Sequence, residues 1–262
     1  MTTVVPEWAA DAATDLPYPL VFATVSGAHL YGFASVDSDL DLRASHILPA
    51  HEVVGLRTGP DTLERSGIRD GVELDVVSHD LRKFAKLFNS RNGYVLEQLV
   101  SPLVVVTSPL HTALKDLAPR MITSGHAHHY LGFSHSQQQL YHNTGRIKPA
   151  LYTLRVLLTG IHLMRTGEVV CDLGVLGSRI PYVPDLIAAK REAEHGPMPA
   201  RAAAYLAADI PALRAELEEA RDESRLPAYA DPAAVEALHE LVVTTRLGQT
   251  SGMTLTSPSE VS

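Results

Sequence analysis

Short apolar runs and two-residue alternation mark the first 108 residues. Residues 19–27 form an apolar run that ends in Ser-Gly, which is typical of a buried strand. In the first half of 38–48, polar and apolar positions alternate, which indicates a strand because successive side chains of a strand point to opposite faces. Residues 71–79 and 101–109 are also predicted to be strands. This part of the chain is therefore predicted to contain a β-sheet.

Helical patterns lie before, between and after these strands. Residues 1–17 are predicted to form a short helix and a linker, and 27–32 a turn or short helix. The segment 81–89 is predicted to be a helix that Ser78 or Asp80 caps. A further helix is predicted to open at 92–99.

Helical periodicity replaces the strand signals from about residue 110. One helix face within 146–166 carries the apolar residues Ala150, Leu151, Leu154, Leu157, Leu158 and Ile161. Further helices are predicted at 183–195, 199–223 and 231–246. Residues 248–262 lack packing groups and are predicted to be a disordered tail. The pattern predicts an α+β fold with an α/β part at 1–108 and a helical part at 109–247.

Composition narrows the class of protein. Hydrophobic residues make up 45% and charged residues 20%, which is typical of a globular chain. There is no uninterrupted apolar run of membrane-spanning length, and the first 17 residues contain no Lys or Arg, so neither a membrane span nor a secretory signal is predicted. Cys171 is the only cysteine, which excludes an intrachain disulfide. These features favour a cytoplasmic protein without a membrane partner.

Net charge adds a constraint on nucleic-acid binding. The chain carries a formal charge of −8 with histidine neutral. Proteins that coat nucleic acid nonspecifically usually have a basic surplus, because neutralising phosphates supplies most of that affinity. The overall charge therefore argues against a general nucleic-acid binder, although a local basic cleft is compatible with it.

The polar face of the strand predicted at 38–48 carries the candidate chemistry. Asp39 and Asp41 are two residues apart, so a strand would point both carboxylates to one face, where they could share divalent cations. A third acid in the strand predicted at 71–79 would complete a cluster suited to two-metal phosphoryl chemistry. Asp75 and Glu73 are the two candidates, and periodicity does not separate them because they also share a face.

These residues stand in a pattern that resembles the DNA polymerase β-like nucleotidyltransferase superfamily. The glycine-bounded loop GAHLYG (27–32) is followed by SDLDLR (38–43), which is similar to the pattern of a bacterial and phage branch of predicted nucleotidyltransferases. The segments 92–102 and 148–160 also resemble that branch, so the likeness runs from residue 20 to about residue 165.

The resemblance implies a fold and a reaction. It implies a nucleotidyltransferase fold, a small mixed sheet with flanking helices, followed by a helical domain that completes a nucleotide cleft. Asp39, Asp41 and Asp75 would be the catalytic carboxylates and would bind Mg²⁺ or Mn²⁺, since the family pattern favours an Asp as the third acid. A nucleoside triphosphate, with ATP as the first candidate, would be the substrate.

The resemblance also implies residues that would bind the nucleotide. Gly27 and Ser38 belong to the matching loop. Ala28 stands where the superfamily often has a serine that contacts phosphate, so His29 or a backbone amide would have to replace that contact. Arg43 shares the strand face of the aspartates and would either bind phosphate or neutralise the acidic cluster.

A second nucleotide-binding surface is predicted on the helix at 146–166. Lys148, Tyr152 and Arg155 are spaced by four and three residues and therefore line one face. Helix geometry alone is equally compatible with a solvated flank. The resemblance favours function, because helical parts of such enzymes supply cations to the triphosphate and aromatic rings to the base.

Histidines are frequent after residue 125. Three of them, His128, His135 and His142, are seven residues apart and roughly share a helix face, near His126 and His129. Imidazoles at this spacing can bind zinc, but a polar helix face, or a few contacts to the acceptor, is preferred because no clearly placed i, i+4 pair is present.

The sequence thus predicts a metal-dependent nucleotidyltransferase that transfers an NMP to an acceptor hydroxyl with release of pyrophosphate. An RNA 3′ end, a protein and a small molecule remain open as acceptors. A different class, a catalytically silent nucleotide-binding regulatory module, is the alternative that Ala28 supports.

Overall fold

Five strands form one mixed sheet in the computed structural model, which describes residues 5–192 and 198–250. Their spatial order is β3-β4-β2-β1-β5. β2 and β4 pair in parallel, whereas the other neighbours are antiparallel. The strands are β1 (Leu20–Val25), β2 (Leu40–His46), β3 (Thr62–Arg69), β4 (Val72–Asp80) and β5 (Val104–Val106).

Four of these strands were predicted from the sequence, and β3 was not. Most of its side chains are exposed, because it is an edge strand whose sequence TLERSGIR offers no apolar face. It joins β4 through Asp70 and Gly71, which both have positive φ (51° and 79°). An Asp-Gly pair between two strands is a strong hairpin signal, and it is the feature that could have revealed β3.

Helices flank the sheet and then form the rest of the chain. Within the sheet region they are α1 (Ala9–Thr14), α2 (Gly27–Leu30), α3 (His51–Val54), α4 (Leu81–Asn89) and α5 (Gly93–Val100). The helical part contains α6 (Pro109–Met121), α7 (Ala127–Thr144), α8 (Ile147–Thr166), α9 (Leu173–Leu176), α10 (Val183–Glu192), α11 (Ala200–Asp222) and α12 (Pro232–Thr250), with a 3₁₀ turn at Ser124–His126. The α+β fold predicted from the sequence is confirmed.

The local sequence explains where two helices begin. Asp80 caps α4 by accepting a hydrogen bond from the Arg82 amide, and Asn92 caps α5 in the same way from the Val95 amide. Asp80, rather than Ser78, is therefore the cap of α4. The end of the helix predicted at 183–195 and most of the predicted tail lie outside the described residues.

Each face of the sheet packs against a separate apolar cluster. Leu40, Leu42 and Ala44 pack with α1 in the smaller cluster. In the larger cluster, the rings of Phe22 and Phe84 pack edge-to-face. This cluster also includes residues of α8 and α11. The sheet region and the helical part therefore share one continuous core. Within the described residues, no helix has both the length and the apolar character needed to cross a bilayer.

Candidate active site

Parallel pairing of β2 with β4 brings two of the predicted acids together. Asp41 and Asp75 are direct register partners, so their side chains leave the sheet on the same face. The alternating burial predicted for β2 is confirmed: Leu40 and Leu42 are buried on one face, whereas Asp41 is half-buried on the other. The register places Asp75, and not Glu73, opposite Asp41.

One arginine bridges the two carboxylates. Nη2 of Arg43 lies 2.7 Å from Asp41 Oδ1 and 3.0 Å from Asp75 Oδ2. Nη1 donates to the carbonyl oxygens of Leu42 and Asp75, both at 3.0 Å, and Nε donates to the Tyr94 hydroxyl at 2.8 Å. Arg43 therefore neutralises the acidic pair in this structure. Its contact with phosphate, the other alternative, stays a prediction.

The electrostatic setting of Asp41 reflects both burial and crowding. Burial raises the pKa of its carboxyl above the usual value, and the nearby charges of Asp75 and Asp39 raise it further. Arg43 and Lys148 act in the opposite direction. Asp39, Asp75, Arg43 and Lys148 therefore all lie within electrostatic range of Asp41.

Asp39 is exposed at the edge of this face, directly before β2. An open cavity of about 440 Å³ is lined by Asp39 and Asp75, and also by Ser66 and Glu73. Glu73 therefore lies on the same surface, although it is not opposite Asp41. The cavity gives a ligand access to Asp39 and Asp75 from solvent.

Gly27 permits the close approach of Asp41 to the loop. Its φ is +60°, and a Cβ at this position would overlap the Asp41 carboxylate. Only glycine satisfies both requirements without strain. The first residue of the predicted nucleotide loop is thus packed against one of the predicted metal ligands.

Ala28, His29 and Ser38, the other predicted nucleotide-binding residues of this loop, differ in their burial and contacts. The Ala28 side chain is only 5% exposed and lies in the main core, so any phosphate contact at this position would come from the backbone. His29 is half-buried, and burial lowers the pKa of its imidazole, while a backbone hydrogen bond with Ser38 and the charge of Asp41 partly oppose that effect. Ser38 is buried, and its hydroxyl accepts hydrogen bonds from Lys190 and the Ser35 amide.

The three residues predicted to line one face of α8 have different surroundings. Lys148 is half-buried, and its charge lowers the pKa of Asp41, so it lies near the acidic pair. Tyr152 is also half-buried and packs edge-on against Tyr31 and Phe33, with ring centroids 5.5 and 5.4 Å apart. Of the two, Lys148 has the direct electrostatic link to the acids.

Arg155 does not join this surface. It is 1% exposed, its Nη1 lies 2.6 Å from Glu97 Oε1, and its guanidinium carbon lies 3.8 Å from the Tyr31 ring centroid. Helical spacing places it on the same side of α8 as Lys148, but its side chain is buried against Glu97 on α5 and the ring of Tyr31. The predicted contact between Arg155 and a triphosphate is therefore corrected to a buried ion pair inside the fold.

The oxygen donors of the acidic face fit a hard divalent cation in their chemistry. Asp41 and Asp75 point to one face and Asp39 lies at its edge, and Mg²⁺ takes one or two carboxylates together with substrate phosphates. In residues 5–192 and 198–250, however, no three His, Cys, Asp or Glu side chains stand in a ready ligand arrangement. Arg43 lies between the two carboxylates, so a cation there would share or replace its contacts.

The histidine cluster shows no zinc-like geometry in the described part of the chain. His126 is fully buried and its Nδ1 accepts a hydrogen bond from the Thr123 amide, and burial lowers the pKa of both His126 and His129 to about 4. His135 contacts Gln139, and His142 is exposed. The preferred alternatives, a polar helix face or a few contacts to the acceptor, stay predictions for the exposed histidines.

Sequence reasoning missed two residues that organise the site. Tyr94 on α5 holds Arg43, and Lys190 on α10 holds Ser38. Tyr94 falls in the segment 92–102 that carries the family likeness, which is the signal that could have found it. No local pattern links Lys190 to the loop, because the contact joins positions more than 150 residues apart.

Comparison with known proteins places this geometry in context. The model of the RlaP family, described as an RNA repair pathway DNA polymerase beta family, matches residues 5–244. A curated relative, the uncharacterized protein YcgL of Bacillus subtilis (strain 168), is 28% identical over 174 residues. That alignment covers 64% of this chain and 65% of the relative, so the chain spans slightly less than two thirds of the relative's length.

Proposed function

Because the chain belongs to the RlaP family, an RNA repair pathway DNA polymerase beta family, we propose that it transfers an NMP from a nucleoside triphosphate to the 3′ hydroxyl of an RNA. ATP is the first donor to test. The observation that carries this proposal is the register pairing of Asp41 with Asp75, with Asp39 at the edge of the same face. Family membership supports nucleotidyl transfer, and the family's description as an RNA repair pathway family supports an RNA acceptor.

Asp39, Asp41 and Asp75 would hold the cation of this reaction. Bound Mg²⁺ or Mn²⁺ supplies neutralisation of the phosphate charge and activation of the attacking oxygen. Asp41 is held in place from two sides, by the close approach of Gly27 and by the ion pair with Arg43. These contacts reduce the freedom of the carboxylate before a substrate arrives, which is the preorganisation that electrostatic catalysis requires.

The remaining residues would bind and orient the substrates. Lys148 would neutralise the triphosphate, since its charge already acts on Asp41. A contact between Gly27 and phosphate would come from its backbone, because the Asp41 carboxylate occupies the space that a side chain would fill. Arg43, fixed by Tyr94, would limit repulsion between the carboxylates and the incoming phosphates.

Asp75 is the proposed acceptor of the hydroxyl proton. The 3′ oxygen of the acceptor would attack the α-phosphorus and pass its proton to the Asp75 carboxylate. The bond between the α-phosphorus and the bridging oxygen of the β-phosphate would break, and pyrophosphate would leave. Asp75 suits this role because its side chain faces the open cavity that a substrate can enter.

A silent nucleotide-binding regulatory module is the second candidate. Two observations favour it: the Ala28 side chain lies in the core and offers no hydroxyl to phosphate, and Arg43 already engages both Asp41 and Asp75. Such a module would bind a nucleotide without releasing pyrophosphate. Transfer to a protein or a small molecule is a third outcome that uses the same acidic face.

An acceptor comparison tests the proposal. The full chain is incubated with α-labelled ATP and Mg²⁺, together with an RNA that ends in a 3′ hydroxyl, the same RNA with a 3′-deoxy end, or a protein fraction. We expect label only on the 3′-hydroxyl RNA. Label on protein would contradict the RNA acceptor, and nucleotide binding without label on any acceptor would favour the silent module.

A further inference from the structure

A lysine from the helical part lies buried beside the loop that precedes Asp39. Lys190 on α10 is 0% exposed. Its ammonium donates hydrogen bonds to the hydroxyl of Ser38 at 2.8 Å and to that of Ser35 at 3.0 Å. Burying an ammonium is unfavourable unless its donors are satisfied, so the placement of this group depends on those hydroxyls.

The loop wraps closely around the ammonium. The two hydroxyl oxygens of Ser35 and Ser38 are 2.9 Å apart, and the Ser35 amide donates to Ser38 Oγ at 2.9 Å. The Ser38 amide in turn donates to the Ser35 carbonyl at 3.2 Å. Asp39 is the next residue in the chain. The lysine therefore contacts the turn from which this acid emerges.

The same segment receives further contacts from the helical part. Arg191, next to Lys190, donates to the Gly32 carbonyl at 2.9 Å, and the Leu173 amide donates to the Tyr31 carbonyl at 3.0 Å. His29 is hydrogen-bonded to the Ser38 backbone. Residues 31–38 are thus bound to the helical part at several points, and Lys190 brings a buried charge to the Ser35–Ser38 turn.

We propose that Lys190 is a positioning residue that fixes the Ser35–Ser38 turn and thereby places Asp39 beside Asp41. An apolar side chain could fill the same space without the cost of burying a charge, whereas only a donor with several N–H groups can hold two hydroxyls in one arrangement. The role of Asp39 as a cation ligand rests on the proposed function, but the fixing of the turn does not.

Hydrogen exchange tests the turn without any substrate. The variants are Lys190→Met, Ser38→Ala and the double variant, with Lys86→Met on the exposed surface of α4 as the matched control. We expect Lys190→Met and Ser38→Ala each to speed exchange of the amides at 33–39 about tenfold, the equivalent of losing one charge-assisted hydrogen bond. The double variant should add little to either, because both remove the same interaction.

Three results would contradict the proposal that Lys190 fixes the turn. These are unchanged exchange at 33–39 in folded Lys190→Met, an equal change in Lys86→Met, or strictly additive effects in the double variant. If Lys190→Met does not fold, the milder Ser38→Ala variant decides the same question. Lys190→Arg keeps the donors and should recover part of the wild-type protection.

Mn²⁺ binding, followed by electron paramagnetic resonance without nucleotide, tests the consequence for Asp39. We expect Lys190→Met to weaken Mn²⁺ binding about tenfold and Lys86→Met to leave it unchanged. If Lys190→Met speeds amide exchange in the turn but leaves the affinity for Mn²⁺ unchanged, Lys190 stabilises the turn without placing Asp39 for the cation. Absence of Mn²⁺ binding by the wild type would instead contradict the proposed function, and the exchange data would still decide the turn.

Discussion

Asp41 and Asp75 lie directly opposite each other in the parallel pairing of β2 with β4, and Nη2 of Arg43 contacts both carboxylates. The two acids come from strands separated by the α3 and β3 segments, so only the folded sheet brings them together. Because the carboxylates share one face, the negative charge of Asp75 raises the pKa of Asp41, and the positive charge of Arg43 lowers it.

The register puts Asp75, and not Glu73, opposite Asp41, which makes Asp75 the first candidate for the third acid. We expect Asp75→Asn to weaken Mn²⁺-dependent nucleotide binding tenfold or more, since a charge-assisted contact contributes about 1.5–3 kcal/mol. Glu73→Gln is the matched control on the same strand, and it should change binding by less than about threefold. The measurement is a nucleotide titration at fixed Mn²⁺. A larger loss in Glu73→Gln than in Asp75→Asn would reverse the assignment.

Lys148 should act on the triphosphate rather than on the nucleoside. Replacing it with Met removes a charge near Asp41, so we expect ATP to bind about tenfold more weakly while adenosine binds unchanged. Isothermal titration with both ligands measures the difference. Arg165, which pairs with Glu216 at the far end of α8, supplies the control variant Arg165→Met. Equal affinities of Lys148→Met and wild type for ATP would assign Lys148 to the solvated flank.

We expect Arg155 to stabilise the fold rather than to bind the nucleotide. Arg155→Met leaves the Glu97 carboxylate buried without its charged partner, so we expect the free energy of unfolding to fall by about 3–5 kcal/mol. The double variant Arg155→Met/Glu97→Gln should recover part of that loss, because the unpaired charge is removed as well. Urea unfolding measures both. A fully stable Arg155→Met with weakened ATP binding would restore the role predicted from the sequence.

His126 should make the fold sensitive to acid. Burial lowers its pKa from 6.5 to about 4, so between these values the unfolded chain binds more protons than the folded chain. The contribution of neutral His126 to the free energy of unfolding is therefore fully present above pH 6.5 and is lost as the pH falls towards 4. Between pH 6 and pH 5, we expect the wild type to lose about 1 kcal/mol more unfolding free energy than His126→Asn, whose amide oxygen can replace the Nδ1 acceptor. Parallel losses in both proteins would show that His126 does not titrate in this window.

The local sequence pattern was sufficient to predict the strands that carry the candidate acids. Alternation in 38–48 placed Asp41 and Arg43 on one face of a strand, and the structure confirms that face. Periodicity does not contain the register of the two parallel strands, which puts Asp75 rather than Glu73 opposite Asp41. β3 was missed because an exposed edge strand has no apolar alternation to detect.

Long-range packing accounts for the other differences. Helical spacing placed Arg155 beside Tyr152, but it does not specify which neighbour covers each part of α8, and Glu97 comes from a separate helix. Lys190 lies in a helix that was predicted, yet its partners are the hydroxyls of Ser35 and Ser38 in another part of the chain. Such contacts depend on the assembled core and therefore appear only in the folded structure.

The central claim is that the Asp41–Asp75 pair supports metal-dependent nucleotidyl transfer. The most direct measurement is the single-turnover transfer of α-labelled ATP to a 3′-hydroxyl RNA by the wild type, Asp41→Asn and Asp75→Asn, each with Mg²⁺ and with EDTA. We expect transfer by the wild type in Mg²⁺, none in EDTA, and a loss of about a hundredfold or more in each variant, equivalent to about 2.7 kcal/mol of activation free energy. Transfer by folded Asp41→Asn and Asp75→Asn at the wild-type rate, or undiminished transfer in EDTA, would contradict the claim.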